Sequence, residues 1–180
     1  MDYEIMMNGN VKLGQIAPEI EAETTLGKIR LSEYQNKWIV LFSYPGDFER
    51  ISTNEIIIFS KLYMNFKKCN TEVIGISTDS ILSHINWLNS VYKTTGIKIQ
   101  FPIISDKNGE IARKYGMISN EINNSETTRN VYIIGNTGRI RAILSYPNEI
   151  DRSINEILSI LNKLQAQENH HLSNLSQFKT

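Results

Sequence analysis

Four stretches of the chain are apolar at almost every position: KWIVLFS at 37–43, TEVIGIS at 71–77, FPIIS at 101–105 and NVYII at 130–134. Short runs rich in branched and aromatic residues predict strands covered on both faces, where no solvent side demands alternation. Pro102 is expected at a strand start, because it has no N–H to give to a ladder. Between these runs the apolar spacing changes to three and four. Ile57, Leu62 and Phe66 predict a helix after the first run, and Ile81, Ile85, Leu88 and Tyr92 predict the face of a second. Asn136-Thr137-Gly138 is a turn signal that joins 130–134 to 139–145 as a hairpin. Ile154, Ile157, Leu158, Leu161 and Leu164 place a closing helix over roughly 151–165. Near the amino end, a Leu26-Gly27 turn between 21–25 and 28–31 predicts a small extra hairpin.

Parallel strands joined by helices, followed by an antiparallel hairpin and a closing helix, form a thioredoxin-like order of elements. The expectation is an α/β protein with a central mixed sheet flanked by helices. No repeat or linker divides it, so 1–166 reads as one domain. The polar end, 167–180, lacks periodicity and is expected to be a flexible tail.

At 180 residues the chain can bury a core without disulfides or a metal. Its formal net charge is +0 and it has no basic cluster, which leaves a nucleic-acid partner or an anionic membrane surface without an electrostatic footprint. No apolar run has the length of a membrane span, and Met1-Asp2-Tyr3-Glu4 is acidic where a signal peptide starts basic. A cytoplasmic location is the expectation. Cys69 is the only cysteine, which excludes an intramolecular disulfide. His84, His170 and His171 form no cluster with it, so neither a structural zinc nor any other cofactor is expected.

The segment Phe42-Ser43-Tyr44-Pro45-Gly46-Asp47-Phe48-Glu49-Arg50-Ile51-Ser52-Thr53-Asn54-Glu55 resembles the active-site loop of the peroxiredoxins, the alkyl hydroperoxide reductase and thiol-specific antioxidant family. That family reads Pro-x-x-x-Thr-x-x-Cys at this spacing. Pro45 matches the proline, Glu49 stands at the threonine and Ser52 at the peroxidatic cysteine. The resemblance runs from about Leu13 to Gln165, through Leu13-Gly14-Gln15-Ile16-Ala17-Pro18, Val73–Ser80 and Ser83-His84-Ile85-Asn86-Trp87. It continues through Phe101–Asp106, Ala112–Met117, and Tyr146-Pro147 followed by Arg152. These fragments look most like the one-cysteine, peroxiredoxin-6-like branch. Thr128-Arg129 matches the family's active-site arginine, and Glu55 is retained. Gly135 stands where an aspartate is usual. That branch also carries a longer carboxy-terminal arm than follows the closing helix here.

The resemblance implies a loop that delivers a cysteine to the first turn of a helix, where backbone N–H groups, the helix dipole and an arginine lower its pKa. It implies thiol-dependent reduction of hydrogen peroxide and alkyl hydroperoxides. A serine hydroxyl cannot take the first step of thiol oxidation, so the expectation is a pseudoenzyme that works as a binding or co-assembly protein. It would act as a homodimer or together with an active peroxiredoxin. Two alternatives stay open: a non-standard thiol peroxidase acting through Cys69, and an anion sensor built around Arg129.

From local sequence, Ser52-Thr53-Asn54-Glu55 reads as a capping box, with Ser52 starting the helix and Glu55 reaching back. A serine hydrolase would need a positioned base, and His84 is expected on a separate, exposed helix. Cys69 is expected at the carboxyl end of the Ser52 helix. By position, Glu49, Ser52 and Arg129 should converge, with Glu49 within salt-bridge reach of Arg129. Glu49 and Arg50 differ from the family together with Ser52, which favours natural repurposing over a single engineered change.

Overall fold

The structure is a computed structural model that describes residues 11–118 and 126–177, with side chains described as far as His170. The acidic amino terminus at 1–4, the His171 side chain and the last three residues of the polar end lie outside the described residues. The strands are β1 (Glu21–Thr24), β2 (Gly27–Arg30), β3 (Trp38–Ser43), β4 (Thr71–Ser77), β5 (Ile103–Ser105), β6 (Arg129–Ile134) and β7 (Ile140–Tyr146). The helices are α1 (Arg50–Lys68), α2 (Ile81–Thr95), α3 (Glu110–Tyr115) and α4 (Ile154–Gln177).

Seven strands make one mixed sheet in the order β2-β1-β5-β4-β3-β6-β7. β3, β4 and β5 run parallel, and β6 turns the direction by pairing antiparallel with β3. The expected amino-terminal hairpin is β1–β2, which joins the edge through Thr24 opposite Ile104. Its turn needs the left-handed backbone that Gly27 takes at φ +101.

Every residue of β3 and of β4 is buried, which is why neither segment alternates in sequence. The pleat nevertheless sorts their side chains between two cores. Trp38, Val40 and Phe42 enter one with Phe59 and Phe66 of α1, Trp87 and Val91 of α2, and Ile157 and Leu161 of α4. Ile39 and Leu41 enter the other with Ile74, Ile76, Ile104 and Tyr132, closed by Leu31, Ala112, Tyr115 and Met117. Helices α1, α2 and α4 thus share one face, and the short α3 lies on the opposite one.

Two expectations need correction, and one helix was not foreseen. The buried stripe of α2 is His84, Trp87 and Val91, whereas Ile85 and Tyr92 are exposed. Branched and aromatic residues occur around the whole helix, so spacing alone selected the wrong face. Helix α4 continues to Gln177, past the boundary near Gln165 and through most of the segment expected as a tail. Arg141 on β7 holds Glu168 at 3.1 Å and lies 5.6 Å over the Trp38 ring, tying this extension to the sheet. Helix α3 was not anticipated, because its six residues are too few to show a period. Among the described residues, no helix is long and apolar enough to cross a membrane.

Side chains of the flanking strands β3 and β5 close tightly over Gly75 of β4. A Cβ there would lie 2.9 Å from Cζ of Phe42, whose ring stacks on Phe59 at 4.2 Å. Gly75→Ala is therefore expected to destabilise the protein by about 1–3 kcal/mol, the usual cost of overpacking a filled core. Urea denaturation should show a lower midpoint with an unchanged slope.

Candidate functional site

The carboxyl end of β3 leads through a tight loop into α1. The loop is fixed at its start: Tyr44 donates its N–H to the Ile76 carbonyl, and its own carbonyl accepts the Thr127 hydroxyl. Pro45 is half-buried in this loop. Phe48 follows in the left-handed region at φ +63 and is 58% exposed. Helix α1 begins directly afterwards, with Glu49 as its N-cap.

Glu49 is the residue on which the helix start is organised. Its Oε1 accepts the Ile51 N–H at 2.9 Å and its Oε2 accepts the Ser52 N–H at 2.7 Å. The Ser52 hydroxyl donates to the same Oε2 at 2.8 Å, and Arg129 Nη2 donates to it at 2.6 Å. Partial burial alone would raise the carboxyl's pKa. The two N–H groups, the guanidinium and the hydroxyl outweigh it and hold the value at about 2.

The expected capping box is therefore not formed. Ser52 lies inside the first turn, buried, and acts as a donor to the residue that does the capping. Glutamate wins because its two oxygens reach two N–H groups at once and the cationic Arg129 fixes its direction. Glu55 does not reach back to the helix start either. One turn beyond Ser52, on the same face, its carboxylate is 1% exposed and is taken by two arginines. Arg129 Nη1 donates to Oε2 at 3.1 Å, and Arg152 grips both oxygens, with Nε at 3.1 Å from Oε1 and Nη2 at 2.7 Å from Oε2. The Arg152 backbone N–H adds a further bond to Oε1 at 2.7 Å.

The result is a closed set of four charges, Glu49–Arg129–Glu55–Arg152, brought together from α1, the start of β6 and the segment before α4. Arg129 also gives Nε to the Asn148 carbonyl at 2.9 Å and Nη1 to the Ser52 hydroxyl at 3.2 Å. Arg152 Nη1 is held by the carbonyls of Ser43 and Asn130 at 2.7 and 3.0 Å. Burial lowers the Arg152 pKa, and its pairing with Glu55 opposes that shift. The convergence of Glu49, Ser52 and Arg129 expected from sequence is present. Glu55 and Arg152 were missed as partners. The available signal was the three-residue spacing of Ser52 and Glu55, together with a lone arginine ahead of an apolar helix.

Chemically, Ser52 is a poor nucleophile here. Its proton points to a carboxylate held at about 2, far too weak a base to remove it. Contrary to expectation, His84 is fully buried, but it faces Asp47 and the Ile104 carbonyl and is committed there. Cys69 forms the C-cap of α1, where its thiol donates to Asn162 Oδ1 at 3.3 Å. Ser52 and Cys69 thus occupy opposite ends of one helix, separated by about 25 Å at 1.5 Å of rise per residue. Among the described residues, no group of three or more His, Cys, Asp or Glu is placed to hold a metal ion.

The chain's similarity to known proteins spans most of its length. Residues 13–143 match the model of the AhpC/TSA family. The chain is 49% identical over 156 residues to Peroxiredoxin 2 of Picrophilus torridus, covering 87% of this chain and 77% of that protein. It is 45% identical over 159 residues to Peroxiredoxin 2 of Caldanaerobacter subterraneus subsp. tengcongensis, covering 88% and 72%. Among solved structures, a cysteine-to-serine mutant of the Peroxiredoxin 6 of Arenicola marina superposes with a TM-score of 0.81. The two are 34% identical, over 87% of this chain and 74% of that one.

Two substitutions separate the members of the charge set. Glu55→Gln leaves two buried guanidiniums short of a counter-charge and is expected to cost on the order of 3–5 kcal/mol. Glu49→Ala should cost less, about 1–2 kcal/mol, because it removes a helix cap and a half-exposed pair while Arg129 keeps Glu55. The Glu49 pKa is lowered from 4.5 to about 2, so its contribution is complete above the higher value and is lost as pH falls through the lower. Denaturation midpoints recorded at falling pH should therefore drop less steeply for Glu49→Gln than for the parent.

Proposed function

The chain belongs to the AhpC/TSA family of peroxiredoxins, and we propose that it is a member whose peroxidatic cysteine position is occupied by Ser52 and whose peroxidase chemistry is silent. The family fold is the thioredoxin-like arrangement described above, and the family reaction is thiol-dependent peroxide reduction. The observation that carries the reading is the Glu49 carboxylate, seated on the helix N–H groups and on Arg129. In the family's chemistry, those positive groups stabilise a thiolate. Here a permanent carboxylate supplies the negative charge, and the four-charge set is balanced without any ionised sulfur. The chain's single thiol, Cys69, lies at the far end of α1, away from Arg129. The Peroxiredoxin 6 relative supports placement near the one-cysteine branch.

In this reading the protein serves as a binding or co-assembly subunit in the cytoplasm, pairing with itself or with an active peroxiredoxin. Peroxiredoxins commonly form dimers, and a silent subunit that keeps the fold keeps surfaces on which to do so. The anion-sensor alternative loses ground, because Arg129 already holds two carboxylates.

Peroxide consumption with a thiol reductant tests the silent site. The parent is expected to show no turnover above a heat-denatured control. Ser52→Cys alone should recover little, because its sulfur would lie beside the Glu49 carboxylate, which disfavours the thiolate. Adding Glu49→Thr should raise the rate by at least about tenfold, the effect of one pKa unit on thiolate content. A single variant as active as the double variant would refute the role given to Glu49. For assembly, light scattering at tens of micromolar is expected to report a dimer or larger species. A purely monomeric protein that also forms no mixed species with an active relative in native mass spectrometry would remove the co-assembly reading.

A further inference from the structure

The closing helix is held to the rest of the protein in two different ways. Its first part is anchored by Ile154, Ile157 and Leu161, all buried in the core they share with α1. After Leu161 no described residue of α4 is buried, and the half-buried Leu164 is the last apolar contact among them. From there the contacts are polar and fall at 162, 165 and 168, on one side of the helix. Asn162 Oδ1 accepts the Cys69 thiol at 3.3 Å, and Gln165 Nε2 donates to the Cys69 carbonyl at 2.7 Å. Glu168 Oε2 accepts from Arg141 Nη1 at 3.1 Å. A helix end with few buried apolar contacts opens at far lower cost than the core it extends.

The ion pair is the contact that fastens the other two. The Arg141 and Glu168 side chains are 28% and 22% exposed, so dissolved salt reaches them. The guanidinium lies over the Trp38 ring at 5.6 Å, which aims it at α4. The Arg141 stem runs across Gly135, where an added Cβ would stand 3.1 Å from Cγ and 3.6 Å from Cδ. A side chain at 135 would push that stem aside.

Between this part of α4 and the sheet lies a cavity of about 320 Å³. Cys69 and Asn70 at the end of α1, Trp38 and Asn136 from the sheet side, and Gln165 and Glu168 of α4 border it. Cys69 carries the chain's only thiol and is half-buried. We propose that residues 162–177 of α4 form a strap, closed over this cavity by the Arg141–Glu168 pair, and that its opening delivers Cys69 to solutes. In the closed position α4 holds both the sulfur and the carbonyl of Cys69. In the open position it releases both, and the thiol faces water at the mouth of the cavity. The strap is thus a salt-sensitive control on the one group in the chain capable of thiol chemistry.

The inference does not depend on whether Ser52 is silent, since its test uses no peroxide. The whole chain is alkylated with iodoacetamide, an uncharged reagent from which the Cys69 thiolate displaces iodide. Mass spectrometry follows the rate at one fixed pH, in about 0.01 M and about 1 M sodium chloride, where the screening length falls from about 30 Å to about 3 Å. High salt is expected to speed labelling at least about threefold, because a partly exposed ion pair loses its worth when screened. Screening of Lys67 and Lys68 beside the thiol works the other way, since it weakens positive charge that favours the thiolate. Amide protection at 165–168 should fall in step, while that at 157–161 holds. Glu168→Gln should label at low salt about as fast as the parent at high salt, and respond little to salt. Gly135→Asp should do the same, because its side chain displaces the Arg141 stem and offers the guanidinium a rival carboxylate. Parent labelling that high salt leaves unchanged or slows overturns the inference. So does faster labelling without loss of protection at 165–168, or a Glu168→Gln variant that keeps the parent's salt response.

Discussion

A guanidinium with its side chain 1% exposed cannot stand alone, and the architecture around Arg129 follows from that constraint. Arg129 opens β6, at the end of the sheet where β3 hands over to α1. Its counter-charges must come from the helix that starts there. Glu49 and Glu55 approach it from two sides of the first turns of α1, and Arg152 closes the set from the segment before α4. The arrangement joins the helix, two strands and the final connection through buried ionic contacts. Burial of this kind contributes little net stability compared with a well-packed apolar cluster, but removing one member leaves its partner stranded. Its value here is positional, since it fixes where α1 begins and which way its first turn faces.

The same contacts account for the chemistry proposed for the site. The amino end of a helix and a buried arginine make a strong environment for an anion. In a peroxiredoxin that anion is a thiolate. In this chain a carboxylate three residues earlier reaches the same N–H groups and the same guanidinium. In the proposed reading, serine at the peroxidatic position and glutamate at the threonine position form one coupled change. A neutral Ser52 with a neutral residue at 49 would leave two arginines sharing Glu55 alone. Glu49 restores the balance and also caps the helix, so the site as it stands is complete without an ionised sulfur.

Much of the protein was readable from the chain. The four apolar runs became core strands, and the Asn136–Gly138 turn and the Leu26-Gly27 turn each made the expected hairpin. The closing helix kept its apolar face of Ile154, Ile157 and Leu161. Even the contact between Glu49 and Arg129 followed from motif positions. The strands, hairpins and helix face rest on short-range patterns: burial on both faces of a strand, a backbone that needs glycine, and the helical repeat. The Glu49–Arg129 contact was implied by the family resemblance alone.

Long-range competition decided the rest. Ser52 has a local signature for a cap, yet Glu49 took that role because an arginine eighty positions away along the chain fixes its carboxylate. Glu55 looked like the other half of a capping box, yet it turned inward to Arg129 and Arg152, which lie 74 and 97 positions away. His84 carries a polar side chain on a helix with apolar residues all round, and only the docking of α2 against β5 and the Tyr44–Glu49 loop selects it for burial. For Ser52 and Glu55 a local preference worth about 1 kcal/mol met a buried charge whose unpaired cost is several times larger. The chain by itself determines which elements form and which residues carry charge. Only the tertiary structure determines which charges must meet, because that follows from which groups folding removes from water.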